Sequence, residues 1–146
     1  MIRETGDMWS IYEITDFYIV TTNSYIRKDG SLVMGRGAAK QVASHLPQIP
    51  SQLARQTTHL GTYGVIIHLR EPTHIGAFQV KHHFGDAAQL SLIKHSTIML
   101  RNIAHALPSH RFDMNFPGIG NGRLSYDAVL PIIVTLPDNV HIWTFD

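Results

Sequence analysis

Apolar residues in this chain fall into two kinds of pattern, short unbroken runs and longer stretches spaced by three and four, and the two kinds alternate. Residues 17–22, Phe-Tyr-Ile-Val-Thr-Thr, form a continuous β-branched and aromatic run of strand length, which reads as a buried central strand. Residues 2–5, 64–69, 75–81, 111–116 and 140–145 are further strand candidates. A short gap containing Arg70-Glu71-Pro72-Thr73 separates the second and third of these, so that pair should form an antiparallel hairpin. Between the strands the period changes. Residues 8–14 suit one helical turn, and a helix should run from the Gly35-Arg36-Gly37 turn to about Leu46, broken by Pro47 and Pro50, with another turn or two over residues 51–58. The longest helix should start on Asp86 as N-cap, bury Leu90, Ile93, Thr97, Leu100, Ala104 and Leu107, and stop at Pro108. A last helix is expected over residues 125–136, kinked or shortened by Pro131.

Strands alternating with helices, with one hairpin in the middle, predict a three-layer α/β/α sandwich around a mixed, mostly parallel central sheet. In such sheets ligands sit outside the carboxyl ends of the strands. Asn23, Lys81 and Pro117 each follow a candidate strand, so strands running the same way would bring all three to one sheet edge. The 146 residues suit one domain, 1–146, and no apolar run approaches bilayer length. With 12 basic and 11 acidic residues, nothing suggests a broad nucleic-acid surface, and any anion site must be local. Cysteine is absent, which excludes disulfide scaffolds, thiolate nucleophiles and Cys-type zinc sites. The opening Met-Ile-Arg-Glu-Thr-Gly-Asp lacks the apolar core of an export signal, so the cytoplasm is the expected compartment.

Candidate chemistry begins with two glycine-spaced turns. Gly35-Arg36-Gly37-Ala38-Ala39-Lys40 runs into a helix, whose first N–H groups favour an anion. It lacks the third glycine of a dinucleotide fingerprint and the lysine pattern of a Walker loop, and it can equally be a tight strand-to-helix connection. Pro117-Gly118-Ile119-Gly120-Asn121-Gly122 carries three glycines in five positions, more than a purely structural turn needs. Lys81 is either a strand end reaching solvent or, partly desolvated between these loops, an amine nucleophile toward a carbonyl-type carbon. Asn23 suits a sugar hydroxyl and is also an ordinary turn former. Arg36 can hold a phosphate in bidentate fashion or remain a solvated loop residue. The ten histidines show no metal-ligand spacing, and no Gly-x-Ser-x-Gly elbow exists, so neither a metal nor a cofactor is expected.

Together, Gly6-Asp7-Met8, Thr21-Thr22-Asn23, Val33-Met34-Gly35-Arg36-Gly37-Ala38-Ala39-Lys40-Gln41, Phe78-Gln79-Val80-Lys81-His82 and Pro117-Gly118-Ile119-Gly120-Asn121-Gly122 resemble the macrodomain family across nearly the whole chain. Within it, the Met-Gly-Arg-Gly loop and the Val-Lys-His strand end resemble the branch of the terminal ADP-ribose protein glycohydrolase and the DNA ADP-ribosyl hydrolase antitoxins, including small phage and bacterial members. The resemblance implies an ADP-ribose site. Asp7 would accept from the adenine amino group with Met8 beside it, Asn23 would meet the distal ribose, and Met34, Gly35, Arg36, Gly37 and Ala38 would line the diphosphate and distal ribose. Gly118, Ile119, Gly120, Asn121 and Gly122 would cradle the diphosphate, next to Pro117. Lys81 matches the family lysine that attacks the anomeric carbon, with Asn23 beside it in the catalytic set.

Two departures stand out. The glycohydrolase pattern has an Asp shortly after the second loop's last glycine, whereas here Gly122 is followed by Arg123-Leu124-Ser125-Tyr126, with Asp127 farther along. Val20 stands where many macrodomains carry Asn. The expected function is ADP-ribose binding with hydrolysis of ADP-ribosyl linkages on a protein, nucleic acid or small-molecule acceptor. A non-catalytic ADP-ribose reader, or an enzyme processing ADP-ribose phosphate or O-acetyl-ADP-ribose, are the alternatives. The expected partners are ADP-ribose or an ADP-ribosylated macromolecule, with no membrane, and the expected state is a monomer.

Overall fold

The structure is a computed structural model that describes residues 1–57 and 61–145. Its sheet has six strands: β1 (Ile2–Thr5), β2 (Phe17–Thr22), β3 (Val65–His68), β4 (His74–Gln79), β5 (Phe112–Asn115) and β6 (Val140–Thr144), in the order β1-β6-β5-β2-β4-β3. Every pairing is parallel except β3 with β4, the expected hairpin. The unbroken apolar run of residues 17–22 takes an interior place, with β4 on one side and β5 on the other. A strand covered on both faces has no polar side, and burial follows the pleat. Phe17 and Ile19 join one core cluster with Phe78, Phe112 and Met114, while Tyr18 and Val20 join the other with Ile75 and Ala77.

Helices close both faces. Against the first cluster lie α3 (Leu90–Ala106) and α4 (Tyr126–Ile133), and against the second lie α1 (Gly37–His45) and α2 (Ile49–Ala54). A 3₁₀ turn, Met8–Ile11, links β1 to the second face. Several boundaries differ from the sequence expectation. Pro50 does not break a helix but occupies the first turn of α2, where its missing N–H costs nothing. The helical reading of residues 51–58 ends beyond α2, and Thr58 lies outside the described residues. The N-cap of α3 is Gln89 rather than Asp86, because residues 82–86 form a separate loop beside Lys81. The buried face of α3 includes Leu92 and Ser96, while Leu90 is exposed. α4 stops at Ile133, short of Leu136, with Pro131 in its interior and Ser125 as a side-chain cap. Among the described residues no helix is long and apolar enough to cross a membrane.

Because β2, β4 and β5 run in parallel, their carboxyl ends share one edge. Asn23, Lys81 and the second glycine loop emerge there, as does the start of α1.

Candidate functional site

The carboxyl edge opens into a cleft of two adjoining cavities. The larger, about 590 Å³, is bounded by Asn23, Met34 to Ala38, Lys81, Phe84, Gly118, Ile119, Asn121 and Gly122. The smaller, about 480 Å³, is bounded by Asp7, Met8, Gln41, Phe116, Gly120, Tyr126 and Trp143. Gly37, Ala38, Asn115, Ile119 and Asn121 line both, so the cavities meet between the two glycine loops. Each is of the size that holds a small molecule, and their joining suits a ligand with two bulky ends and a slimmer middle. Pro117 lines neither cavity and is buried behind the loop.

The first loop enters the cleft through a long excursion from β2. A turn at residues 27–31 and an Ile26–Leu32 bridge fold this excursion back on itself, and Val33 N–H donates to the Tyr25 carbonyl at 3.1 Å. Asn23, 6% exposed, ties the two ends together: Nδ2 donates to the Val33 carbonyl (3.1 Å), and Oδ1 accepts from Tyr25 N–H (2.9 Å). The amide keeps one N–H and one lone pair beyond these bonds. α1 then begins at Gly37 with no side chain capping it, so its first-turn N–H groups are left to the cleft.

The second loop is a 3₁₀ turn, Gly120–Gly122, between β5 and α4. Its glycines divide between two duties. A Cβ on Gly118 would lie 2.7 Å from Ile93 Cδ1, and the residue has φ +81°, so both packing and backbone demand glycine. Gly120 has φ +63° and meets nothing within 4 Å, which leaves it facing open cleft.

Lys81 follows β4, held by a buried brace. Gln79 Oε1 accepts from the N–H groups of Tyr63 and Gly64 at 2.8 and 3.2 Å, and Ser96 Oγ donates to the Gln79 carbonyl at 2.7 Å. The Lys81 ammonium donates to the carbonyls of Phe84 and Asp86, each at 3.1 Å. Burial lowers its proton affinity below that of an ordinary lysine, the Arg123 guanidinium adds to the fall, Asp86 opposes it, and Arg36 contributes a smaller decrease. An amine that sheds its proton more readily is a better nucleophile near neutral pH.

Asp7 caps the 3₁₀ turn, with Oδ1 accepting from Trp9 N–H at 3.0 Å and from Gln41 Nε2 at 3.4 Å. It is the carboxylate of the smaller cavity. Among the described residues no carboxylate side chain lines the larger one: Asp127 sits on the first turn of α4 outside the lining, and Arg123 follows Gly122 directly. Among the described residues no group of three His, Asp or Glu side chains converges as metal ligands do.

Sequence reasoning missed part of this site. Asn115 closes the floor, accepting from Thr21 N–H at 3.0 Å and donating to Thr21 Oγ1 at 2.9 Å. Tyr25 and Phe84 form an exposed aromatic edge with His83. Phe116, Tyr126 and Trp143 make the smaller cavity aromatic. Their signals were weak: Asn115 falls inside the strand candidate 111–116, and an aromatic residue alone does not tell a cavity wall from core.

No family model and no curated protein matches the sequence. Solved structures do match the fold. The macrodomain of Thermus aquaticus DarG is 20% identical with a TM-score of 0.76, over 99% of this chain and 97% of that one. The macrodomain of Mycobacterium tuberculosis DarG is 22% identical with a TM-score of 0.74, over 97% and 95%. Thermosipho africanus DarTG, solved in complex with ADP-ribose, is 18% identical with a TM-score of 0.75 over 94% of this chain, which spans 39% of that longer one. The chain therefore has the macrodomain fold, as the sequence motifs led us to expect.

Proposed function

We propose that this macrodomain fold binds ADP-ribose across both cavities and hydrolyses ADP-ribosyl linkages with Lys81 as the attacking amine. The observation that carries the reading is the position of Lys81. A partly buried amine of lowered proton affinity, fixed by two carbonyls, lines the larger cavity together with both glycine loops. In this reading adenine enters the smaller cavity, where Asp7 accepts from its amino group beside Met8. The diphosphate crosses between the N-terminus of α1 and the Gly118–Gly122 backbone, within reach of Arg36, which suits N–H groups that carry no side-chain cap. The distal ribose lies between Asn23, Met34 and Lys81. Support for the ligand also comes from the ADP-ribose held by the similar Thermosipho africanus protein.

The chemistry follows from the amine. Its lone pair forms a C–N bond to the anomeric carbon as the bond to the acceptor breaks, and the acceptor leaves with the proton. Water then adds to that carbon and the C–N bond breaks, returning the amine and releasing ADP-ribose. With the sugar ring open, the intermediate is a Schiff base. Borohydride should therefore trap ADP-ribose on wild-type protein during turnover and on none of the Lys81→Ala protein. Hydrolysis of ADP-ribosylated protein and DNA at equal rates by the two proteins would remove Lys81 from the mechanism. Absence of ADP-ribose binding by calorimetry at about millimolar ligand would remove the ligand itself.

A second reading, a reader that binds ADP-ribose without turning it over, is favoured by one feature: a guanidinium, not a carboxylate, follows the second loop. Tight binding to wild-type protein with no release of ADP-ribose from either substrate would select it.

A further inference from the structure

Arg123 opens the stretch after the second loop in which the resemblance led us to expect a carboxylate, and it is the one described non-glycine residue with a positive φ, +64°. That left-handed backbone is unfavourable for arginine and would suit glycine. Its Nη2 donates to the Gly85 carbonyl at 3.0 Å. The carbonyls on either side of that one, of Phe84 and Asp86, are the two that hold the Lys81 ammonium. Three successive carbonyls of one short loop thus hold two cations, one arriving from β4 and the other from the second glycine loop. The loop is also tied down at its start, where Ser24 N–H donates to the His82 carbonyl at 3.0 Å and the Tyr25 ring packs edge-on against His83 and Phe84. At residues 84–86 the remaining bonds, Asp86 N–H to the His83 carbonyl and Gly85 N–H to His83 Nδ1, lie within the loop itself.

We propose that Arg123 is the positioning residue for Lys81, clamping the residue 84–86 carbonyls that orient the amine and keeping a second positive charge beside it. The inference rests on the proposed function for its consequence, although the clamp is a property of the free protein. Arg123 is also, after burial, the largest influence lowering the proton affinity of Lys81. The charged groups acting on that amine are Arg123 from the second loop, Arg36 from the first and Asp86 on its own loop; His82 and His83 follow it in the chain, with their Nδ1 atoms turned to Ser24 and Gln79 and to Gly85 N–H. Asp86 alone among them is acidic. Asp86 favours the charged amine, while burial and the two guanidinium groups favour the neutral one and outweigh it.

The test reads the amine directly. Lysines are trace-labelled with acetic anhydride across a pH series, and each site is quantified by peptide mass spectrometry in wild type, Arg123→Gly, Arg123→Gln and Arg123→Lys. Arg123→Gly relieves the left-handed backbone while deleting the clamp, so loss of folding cannot stand in for loss of the interaction. In the glycine and glutamine variants the Lys81 midpoint should rise, leaving a smaller neutral fraction below it. The lysine variant should restore part of the shift, and Lys28 and Lys94 should not move. An unchanged Lys81 midpoint in both charge-deleting variants would overturn the inference. Release of ADP-ribose is followed on the same proteins. If wild type releases none while the Lys81 midpoint still moves, the hydrolase reading fails and the clamp stands. If release proceeds with its pH profile unaltered in Arg123→Gly, the clamp fails and the hydrolase reading stands.

Discussion

The two glycine loops look alike in the sequence, and the fold uses them differently. In the first, Gly35 and Gly37 are exposed, and a Cβ on either would meet nothing within 4 Å. In the second, Gly118 and Gly122 are buried, and a Cβ on each would press against Ile93 and Ala88 respectively. Only Gly120 and Asn121 of that loop face outward. In the first loop only the backbone of Gly37, at φ +58°, demands glycine, whereas the second loop is fixed largely by what packs behind it. Glycine count does not separate these roles. What separates them is the neighbour a side chain would strike: open space in one case, Ile93 of α3 and Ala88 just before it in the other.

The largest effect expected from this contrast is at Gly118. An alanine there must adopt a left-handed backbone and also displace Ile93 and Leu124, so Gly118→Ala should destabilise the fold by roughly 3 kcal/mol. A fall in the urea midpoint with unchanged slope would show it. Wild-type stability in this variant would mean that the second loop is not pinned by the core. Gly120→Ala keeps the backbone penalty without the clash, so about 1–2 kcal/mol is expected. ADP-ribose affinity should fall further than stability alone explains, because the added methyl enters the region between the cavities. Equal losses of stability at Gly118 and Gly120 would erase the distinction between packed and open glycines.

The same distinction explains what could be read from the sequence. The strands were legible because runs such as residues 17–22 have no polar face, which only a strand covered on both sides tolerates. The loops were legible because glycine spacing after such a run marks tight backbone. Asp86 misled because Asp before a helical pattern is a common N-cap, whereas here residues 82–86 form a loop whose carbonyls serve Lys81, and Gln89 starts the helix. The roles of Asn115, Phe84 and Arg123 depend on partners far away in sequence, Thr21 across the sheet and Gly85 across the cleft. Local pattern carries no record of those partners. Lys81 lies between these cases: its place after an apolar strand was visible, while its restraint by two carbonyls required the folded loop.

The smallest change in stability is expected at Gly35, where it is also the most informative. Gly35 does not have a positive φ, and no atom lies where its Cβ would go, so alanine there should alter stability by no more than about 0.5 kcal/mol. A slight gain is permitted, since alanine restricts the unfolded chain more than glycine does. If the first loop exists to let a ligand approach the backbone, that same methyl must still stand in the ligand's way. ADP-ribose affinity should then drop about tenfold, or roughly 1.4 kcal/mol, while the unfolding midpoint stays put. Calorimetry and urea unfolding on one preparation of Gly35→Ala separate the two quantities. Unchanged affinity would mean that the open space above Gly35 is ordinary surface, and the ligand would have to be held by the second loop and the smaller cavity instead.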